Sequence, residues 1–540
     1  MTSFFTSFRN LFFFFGSCFF LCSCTDTKPK KHPNNVIASA HPLATEAGQA
    51  MFTMHGTAAD AAVAAGFTLA VVEPSMSGIG GRLQALYRSA DGKISGVDAS
   101  TEVPINYVAS DERYPYGYET IGIPGVVAGL LALHKAEGKL PLETVLAPAI
   151  HHAENGFAVL PGEAYRQQMA LTQLLEFDGS KRYFTKEDAT SYTTGDFLVQ
   201  KDLANTLRRI ASAGHKGFYE GVTAQRMVDD IQANGGIITL EDLKNYKALP
   251  SRILKGRFRD HDIHALYLPS FGAVTIQILQ MLDQLKPIEK DDASWANTMG
   301  KVTEKAYDYR QYQTEEDSLQ SMLSPESAMR IVSEISAPKM VAFNDTSKWP
   351  ESWKVAMGHT THLTAADSEG RIVSLTQTIG PNMGSKVASP GLGFLYAVTL
   401  GGYLGDYKPG DRANSHISPT FISKNDQVIL ALGAAGGSRI VTAVTQVAQR
   451  YIDQKIPLKQ ALSAPRIYPN KDTLLLENHE GIQWAEIILN NLKFNEYPYQ
   501  FLTEPARFGR VHAVALDTIS QRWIGAADPD WEGTVSDEER

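Results

Sequence analysis

Past residue 24 the chain has no cysteine: Cys18, Cys22 and Cys24 are its only three, in a sequence of 540 residues. The remainder therefore has no disulfide, no thiol nucleophile and no thiolate metal site, and a large buried core must supply its stability. Positive charge is also short, since 50 Lys and Arg against 59 Asp and Glu give a formal net charge of −9. No basic stripe interleaved with aromatics occurs, which argues against a nucleic-acid partner. No long low-complexity linker is found from Val36 onward, and no repeat of about 20 to 50 residues in the stretch from Pro141 to about Ala337. What is present, 43% hydrophobic and 20% charged residues, is the balance of a folded globular protein.

The first 24 residues have a different character. Arg9 precedes the apolar run Leu11 to Phe20, which reads as an export signal too short to span a bilayer comfortably. The following Leu21-Cys22-Ser23-Cys24 resembles the end of a bacterial lipoprotein signal. That resemblance implies cleavage before Cys24 and its lipidation; a plain secretory signal is the other reading. The expected division is a signal peptide over 1–23, a polar tether over 24–36, and an exported mature part. Its only tie to a membrane, facing periplasm or cell exterior, would be the lipid.

Helical and strand patterns then alternate, predicting one compact mixed α/β unit. Thr57 is placed to cap a helix that runs to Val72 and stops before Glu73-Pro74. A glycine-rich loop, Ser75 to Gly81, leads into a strand at Leu83 to Arg88. Gly122-Ile123-Pro124-Gly125 opens a helix over Val126 to Ala136, and a long helical middle is expected from Pro141 to about Ala337. Trp349 to Gly358 reads as an exposed connection. Near the C-terminal end a strand at Val428 to Leu432, a loop from Gly433 to Gly437 and a helix from Ser438 to about Tyr451 follow one another. A strand, a glycine pair and a helix start can present free N–H groups to an oxyanion, or simply turn the chain tightly.

Thr361 to Asp367 and Arg371 to Gln377 form a predicted hairpin around Ser368-Glu369-Gly370. Asp367 then pairs with Arg371, and counting outward in antiparallel register sets Thr360 opposite Thr378 on one face. The residues alone allow an ordinary cross-strand threonine pair.

Several segments in order resemble the γ-glutamyltranspeptidase family of N-terminal-nucleophile hydrolases. They are Ala38-Ser39-Ala40-His41-Pro42-Leu43-Ala44, Ala59-Asp60-Ala61-Ala62-Val63-Ala64-Ala65, Val72-Glu73-Pro74, Ser77-Gly78-Ile79-Gly80-Gly81, Gly122-Ile123-Pro124-Gly125, Asn234-Gly235-Gly236, Thr360-Thr361-His362, Ser374-Leu375-Thr376-Gln377-Thr378 and Gly436-Gly437-Ser438-Arg439. The resemblance implies a four-layer αββα sandwich, made as one precursor that cuts itself between His359 and Thr360. The products would be a large subunit, 37–359, and a small subunit, 360–540, held together as one heterodimer. Thr360 would be the nucleophile, Thr378 its orienting partner, and Gly436 and Gly437 the oxyanion-hole amides. A threonine hydroxyl needs a base, and the freed α-amine, with a reference pKa of about 7.7 to 8, can serve near neutral pH.

The implied activity is amide hydrolysis or acyl transfer through an acyl-enzyme, to water or an amine acceptor, on a γ-glutamyl or related small amide or peptide. An acylase on the same scaffold and a non-catalytic binding lipoprotein are the alternatives. No cofactor and no metal is expected. His151-His152 and Glu154 sit where neighbouring helical side chains diverge. His362 is read as structural, and Arg439 as a capping or salt-bridge residue.

The pocket departs from the family pattern. Ser100 stands where the family's carboxylate-gripping arginine is expected, Gly380 replaces an asparagine, and Gly402 replaces the acid that holds an α-amino group. Of the family's paired serines only Ser415 remains, after Asn414. The short stretch from Tyr403 to Arg412 implies that the lid loop of some members is missing. Arg82, where a glycine is expected, is the proposed replacement grip on an acidic substrate group; a solvated arginine at the loop edge is the alternative.

Overall fold

The computed structural model describes residues 31–112, 114–287, 293–335, 359–400, 407–470, 473–484 and 498–536. The signal peptide with Cys24, the connection 349–358 and Gly402 lie outside them.

Two antiparallel sheets stack face to face. The first has seven strands in the order Thr534–Val535, Val36–Ser39, Thr361–Ala366, Ile372–Thr378, Arg82–Arg88, Ile94–Ala99 and Leu249–Pro250. The second has six, Trp523–Ala527, Arg510–Leu516, Gln427–Ala435, Thr420–Lys424, His261–Leu266 and Ile253–Phe258. Val36, Leu86, Leu266, Ala366, Phe421, Val514 and Trp523 form the apolar layer between them.

Each sheet carries helices on its other face. Leu363, Ala365, Val373 and Leu375 of the first sheet pack in one core with helices Ala58–Val72, Val126–Glu137 and Leu142–Asn155. Ile422, Leu430 and Leu432 of the second pack with Gly272–Asp283, Ala293–Tyr309 and Ile440–Gln449. This is the expected αββα sandwich, and the period of two along each strand is what sorts its residues between the layers.

Local rules explain the elements that hold the site. Thr57 caps Ala58–Val72 through a reciprocal box with Asp60, an arrangement worth about 1 kcal/mol. That helix is buried along its whole length, as an apolar helix with no polar face must be. The two glycine loops meet where Gly125 and Val126 donate backbone bonds to Gly81 O at 2.7 and 3.1 Å. A side chain on Gly125 would stand 2.0 Å from Ala99 O, so the motif serves close packing beneath the first sheet.

Three expectations need correction. The helical middle is interrupted by Ile253–Phe258 and His261–Leu266, the outer hairpin of the second sheet. Their charged residues, Lys255, Arg257 and Asp262, hide an alternation of Leu254, Gly256 and Phe258. The strand placed at Val428 to Leu432 continues to Ala435, and a 3-10 turn, Gly437–Arg439, precedes the helix that was expected to start at Ser438. The tether's distal end is ordered: Val36 opens a strand, His32 rests on the Trp523 ring at 4.5 Å, and Asn35 accepts from Ser368 N at 2.7 Å.

Candidate active site

The hairpin register is the one counted from the sequence. Asp367 N donates to Arg371 O, Gly370 takes φ 81°, and Gln377 pairs with Thr361, so Thr378 faces Thr360. Thr360, His362 and Thr364 share the face turned to the second sheet. There His362 bonds Thr376 Oγ1 at 2.7 Å and Thr364 Oγ1 at 3.0 Å, and Thr364 donates to His512 O at 2.9 Å. Burial drives the His362 pKa down to about 3, so it stays neutral and holds the strands together.

Both threonine hydroxyls converge on one carbonyl. Thr378 Oγ1 donates to His359 O at 2.7 Å, accepts from Gly380 N at 3.0 Å and lies 3.3 Å from Thr360 Oγ1. The Thr360 hydroxyl also reaches His359 O. A hydroxyl has one proton, so His359 O and Thr378 Oγ1 are alternative acceptors for it. Thr360 and Thr378 are each 3% exposed, and the carbonyl between them belongs to the bond expected to break.

The glycine pair closes the same end of the sandwich. Ala435 pairs with Arg510, whose guanidinium donates to Thr360 O at 3.4 Å, and Gly436 is the next residue. Gly436 and Gly437 take φ 144° and 57°, and a side chain on Gly436 would lie 2.7 Å from Gly509 Cα. The tight turn is therefore real, and Arg510, paired with the residue before it, ties it to Thr360 O.

A buried ionic network without an assigned role in the sequence reading lies against the strand Thr361–Ala366. Glu73 accepts from Thr361 Oγ1 at 2.7 Å and stands 3.6 Å from Arg166 and 3.7 Å from Arg510. Trp531 stacks on both guanidiniums, at 4.3 and 5.1 Å. Burial raises the Glu73 pKa while Arg510 and Arg166 oppose the shift. Lys386 was missed as well: its ammonium is buried on the carbonyls of Asn382 and Gly384, and desolvation lowers its pKa to about 8. Burial, reinforced by the Lys386 charge, holds His359 neutral. Charged residues inside apolar runs, as in Val71-Val72-Glu73, are the signal that was available.

Arg82 is not the solvated surface residue of the alternative reading. It is 1% exposed, pairs with Thr378 across the strands, and donates to Val398 O at 2.5 Å. Its guanidinium lies 3.3 Å from where a side chain on Gly380 would begin. Ser100 is buried close by, accepting from Gln84 Nε2 at 3.0 Å. Ser415 accepts from Ile417 N at 3.3 Å and donates its own N–H to Pro269 O. The segment just before it lies along Thr101 and Val103, linking it to the Ser100 side of the pocket. His151 and His152 stay on their helix, where Glu154 pairs with Arg208. Arg439 immediately precedes the helix Ile440–Gln449 and lies over the Tyr468 ring at 4.8 Å.

A sequence profile described as Gamma-glutamyltranspeptidase matches residues 44–537. The chain belongs to the γ-glutamyltranspeptidase family. It is 30% identical over 510 residues to the glutathione hydrolase proenzyme of Escherichia coli (strain K12), covering 84% of this chain and 86% of that one. To the capsule biosynthesis protein CapD proenzyme of Bacillus anthracis it is 29% identical, covering 92% and 90%. A crystal structure of cephalosporin acylase from Bacillus halodurans superposes with a TM-score of 0.84 at 25% identity, over 94% of this chain and 96% of that one. The family is one of hydrolases and transferases made as proenzymes, and this chain is an enzyme of that kind.

Proposed function

We propose that the chain cuts itself before Thr360 and that Thr360 is then the nucleophile of an amidohydrolase or acyltransferase. The carrying observation is the meeting of the Thr360 and Thr378 hydroxyls on the carbonyl of His359. In the precursor, Thr360 Oγ1 attacks the His359 carbonyl carbon. Its proton passes to Thr378 Oγ1 as Thr378 gives its own to the carbonyl oxygen. Collapse breaks the C–N bond, the released α-amine takes up the proton, and water hydrolyses the ester left on Oγ1. The mature reaction repeats the attack on an external amide, with the α-amine as base. Gly436 and Gly437 N–H groups stabilise the tetrahedral oxyanion.

For the substrate, the pocket favours an acyl group whose far end carries an anion. Ser100 is neutral and engaged by Gln84, whereas Arg82 places a guanidinium on the Thr378 side of the site. A γ-glutamyl group and a plain dicarboxylic monoamide both meet that description, and the similarity to glutathione hydrolases and to an acylase supports keeping both. Subunits 37–359 and 360–540, and lipid attachment at Cys24 outside the cytoplasm, complete the proposal. The test is peptide mapping of protein quenched during turnover of γ-glutamyl and glutaryl anilides. An acyl adduct on Thr360 is expected, and an adduct on any other residue overturns the assignment.

A further inference from the structure

About the strand Thr473–Glu477 and the segment after Trp523–Ala527, three side chains converge away from the threonine pair. His479 Nε2 lies 3.7 Å from Glu477 Oε1 and 3.2 Å from Asp530 Oδ1, and the three ligand atoms fall within 4.8 Å of one another. We propose that Glu477, His479 and Asp530 bind one divalent transition-metal ion, of which zinc is the type, at an open three-ligand site that ties the C-terminal segment to the strand Thr473–Glu477.

Geometry supports this first. Four ligands about a zinc ion at about 2.0 to 2.2 Å stand about 3.3 to 3.6 Å apart along the edges of the tetrahedron, close to the two separations observed. One imidazole nitrogen and two carboxylate oxygens are three protein ligands of the types zinc takes, leaving a fourth position for water.

Unmet hydrogen bonding supports it independently. Glu477 is fully buried, and its Oε1 receives no hydrogen bond among the described residues although it points into the cluster. The other oxygen, Oε2, accepts from Arg466 N at 3.0 Å, so the carboxylate is fixed in place. His479 Nε2 makes no well-aligned hydrogen bond there, only the ion-pair contacts to Glu477 and Asp530 that it holds when protonated. Its Nδ1 is 3.4 Å from Gly481 N, too long a contact to fix the tautomer.

Charge balance points the same way. Arg466 donates to Asp528 at 2.5 Å and stands 4.0 Å from Glu477 Oε1. With His479 neutral, as a metal ligand must be, the three carboxylates Glu477, Asp528 and Asp530 against this one guanidinium leave two negative charges in a buried place; without a cation, protonation of His479 cancels one of them. A divalent cation neutralises both, where uncompensated burial of charge is expensive. The consequence reaches the active site: Asp530 directly precedes Trp531, which stacks on Arg166 and Arg510 beside the nucleophile strand.

The experiment uses the full mature protein, stripped with a chelator and titrated with zinc alone by calorimetry, with calcium in a parallel arm. Visible absorption after cobalt(II) loading reports the ligand set. One zinc per chain is expected, with affinity lowered about 100-fold or more in His479→Ala and in Asp530→Asn, together with loss of the cobalt spectrum. Asp530→Asn keeps an oxygen for the Ala506 N–H that Asp530 now receives, so it tests the ligand without removing that bond. Absence of zinc binding, binding of calcium but not zinc, or wild-type affinity in both variants overturns the proposal.

Discussion

Replacing Thr378 by valine keeps the side chain's volume and removes its hydroxyl. Three contacts go with it: the donor to His359 O at 2.7 Å, the acceptor for Gly380 N at 3.0 Å and the partner of Thr360 at 3.3 Å. With Thr378 only 3% exposed, water does not readily replace them. The orphaned Gly380 amide costs about 1 to 3 kcal/mol of stability, leaving the fold intact if the total is about 5 to 15 kcal/mol. The rate effect is larger. A donor aimed at an oxygen that gains negative charge contributes about 10²- to 10³-fold in comparable sites, so Thr378→Val self-cleavage slows by at least about 100-fold. Precursor purified early is followed on a denaturing gel, with circular dichroism confirming that it is folded. Thr378→Ser, which restores the hydroxyl, processes within about tenfold of wild type. A folded Thr378→Val precursor that matures at the wild-type rate refutes the role given to this hydroxyl.

Arg82→Ala lowers kcat/KM on acyl donors with an anionic end by about 10- to 150-fold, the equivalent of one charge-assisted contact, and spares neutral acyl donors; equal loss on both classes contradicts an anion grip. Gly436→Ala forces a side chain to 2.7 Å from Gly509 Cα at φ 144°, and abolishes measurable turnover in protein that still melts cooperatively; full activity contradicts the oxyanion assignment. His362 has a folded-state pKa lowered to about 3 from 6.5, so the unfolded chain binds the extra proton as pH falls below 6.5, and stability is lost across pH 6.5 to 3. Denaturant melts of His362→Gln between pH 6.5 and 4 then show a slope shallower by about 1.4 kcal/mol per pH unit, and an unchanged slope contradicts a buried neutral imidazole.

What the sequence made legible was local. The hairpin's register followed from a three-residue turn with glycine at its left-handed position, because one contact at the turn fixes every pair outward. The capping of Ala58–Val72 followed equally from Thr57 standing just before the alanine-rich run, while the reciprocal bond from Asp60 came from the structure. The Ile253–Phe258 and His261–Leu266 hairpin did not, because lysine, arginine and aspartate on its outer face mask the alternation beneath. The network of Glu73, Arg166 and Arg510 joins residues far apart in the chain, and no spacing rule brings them together. Arg82 was visible as a departure, but only the packing of its strand against Thr378 shows it buried. The Glu477, His479 and Asp530 cluster was invisible for the same reason: its members come from two distant segments.

The central claim is that Thr360 becomes a new N-terminus by the chain's own chemistry. Expression of the full chain and of Thr360→Ala, followed by a denaturing gel and N-terminal sequencing, tests it directly. Two fragments, the smaller beginning Thr360-Thr361-His362, are expected from the wild type, and a single folded chain from the variant. A wild-type chain that stays whole, or a Thr360→Ala chain that is still cut before residue 360, contradicts the account.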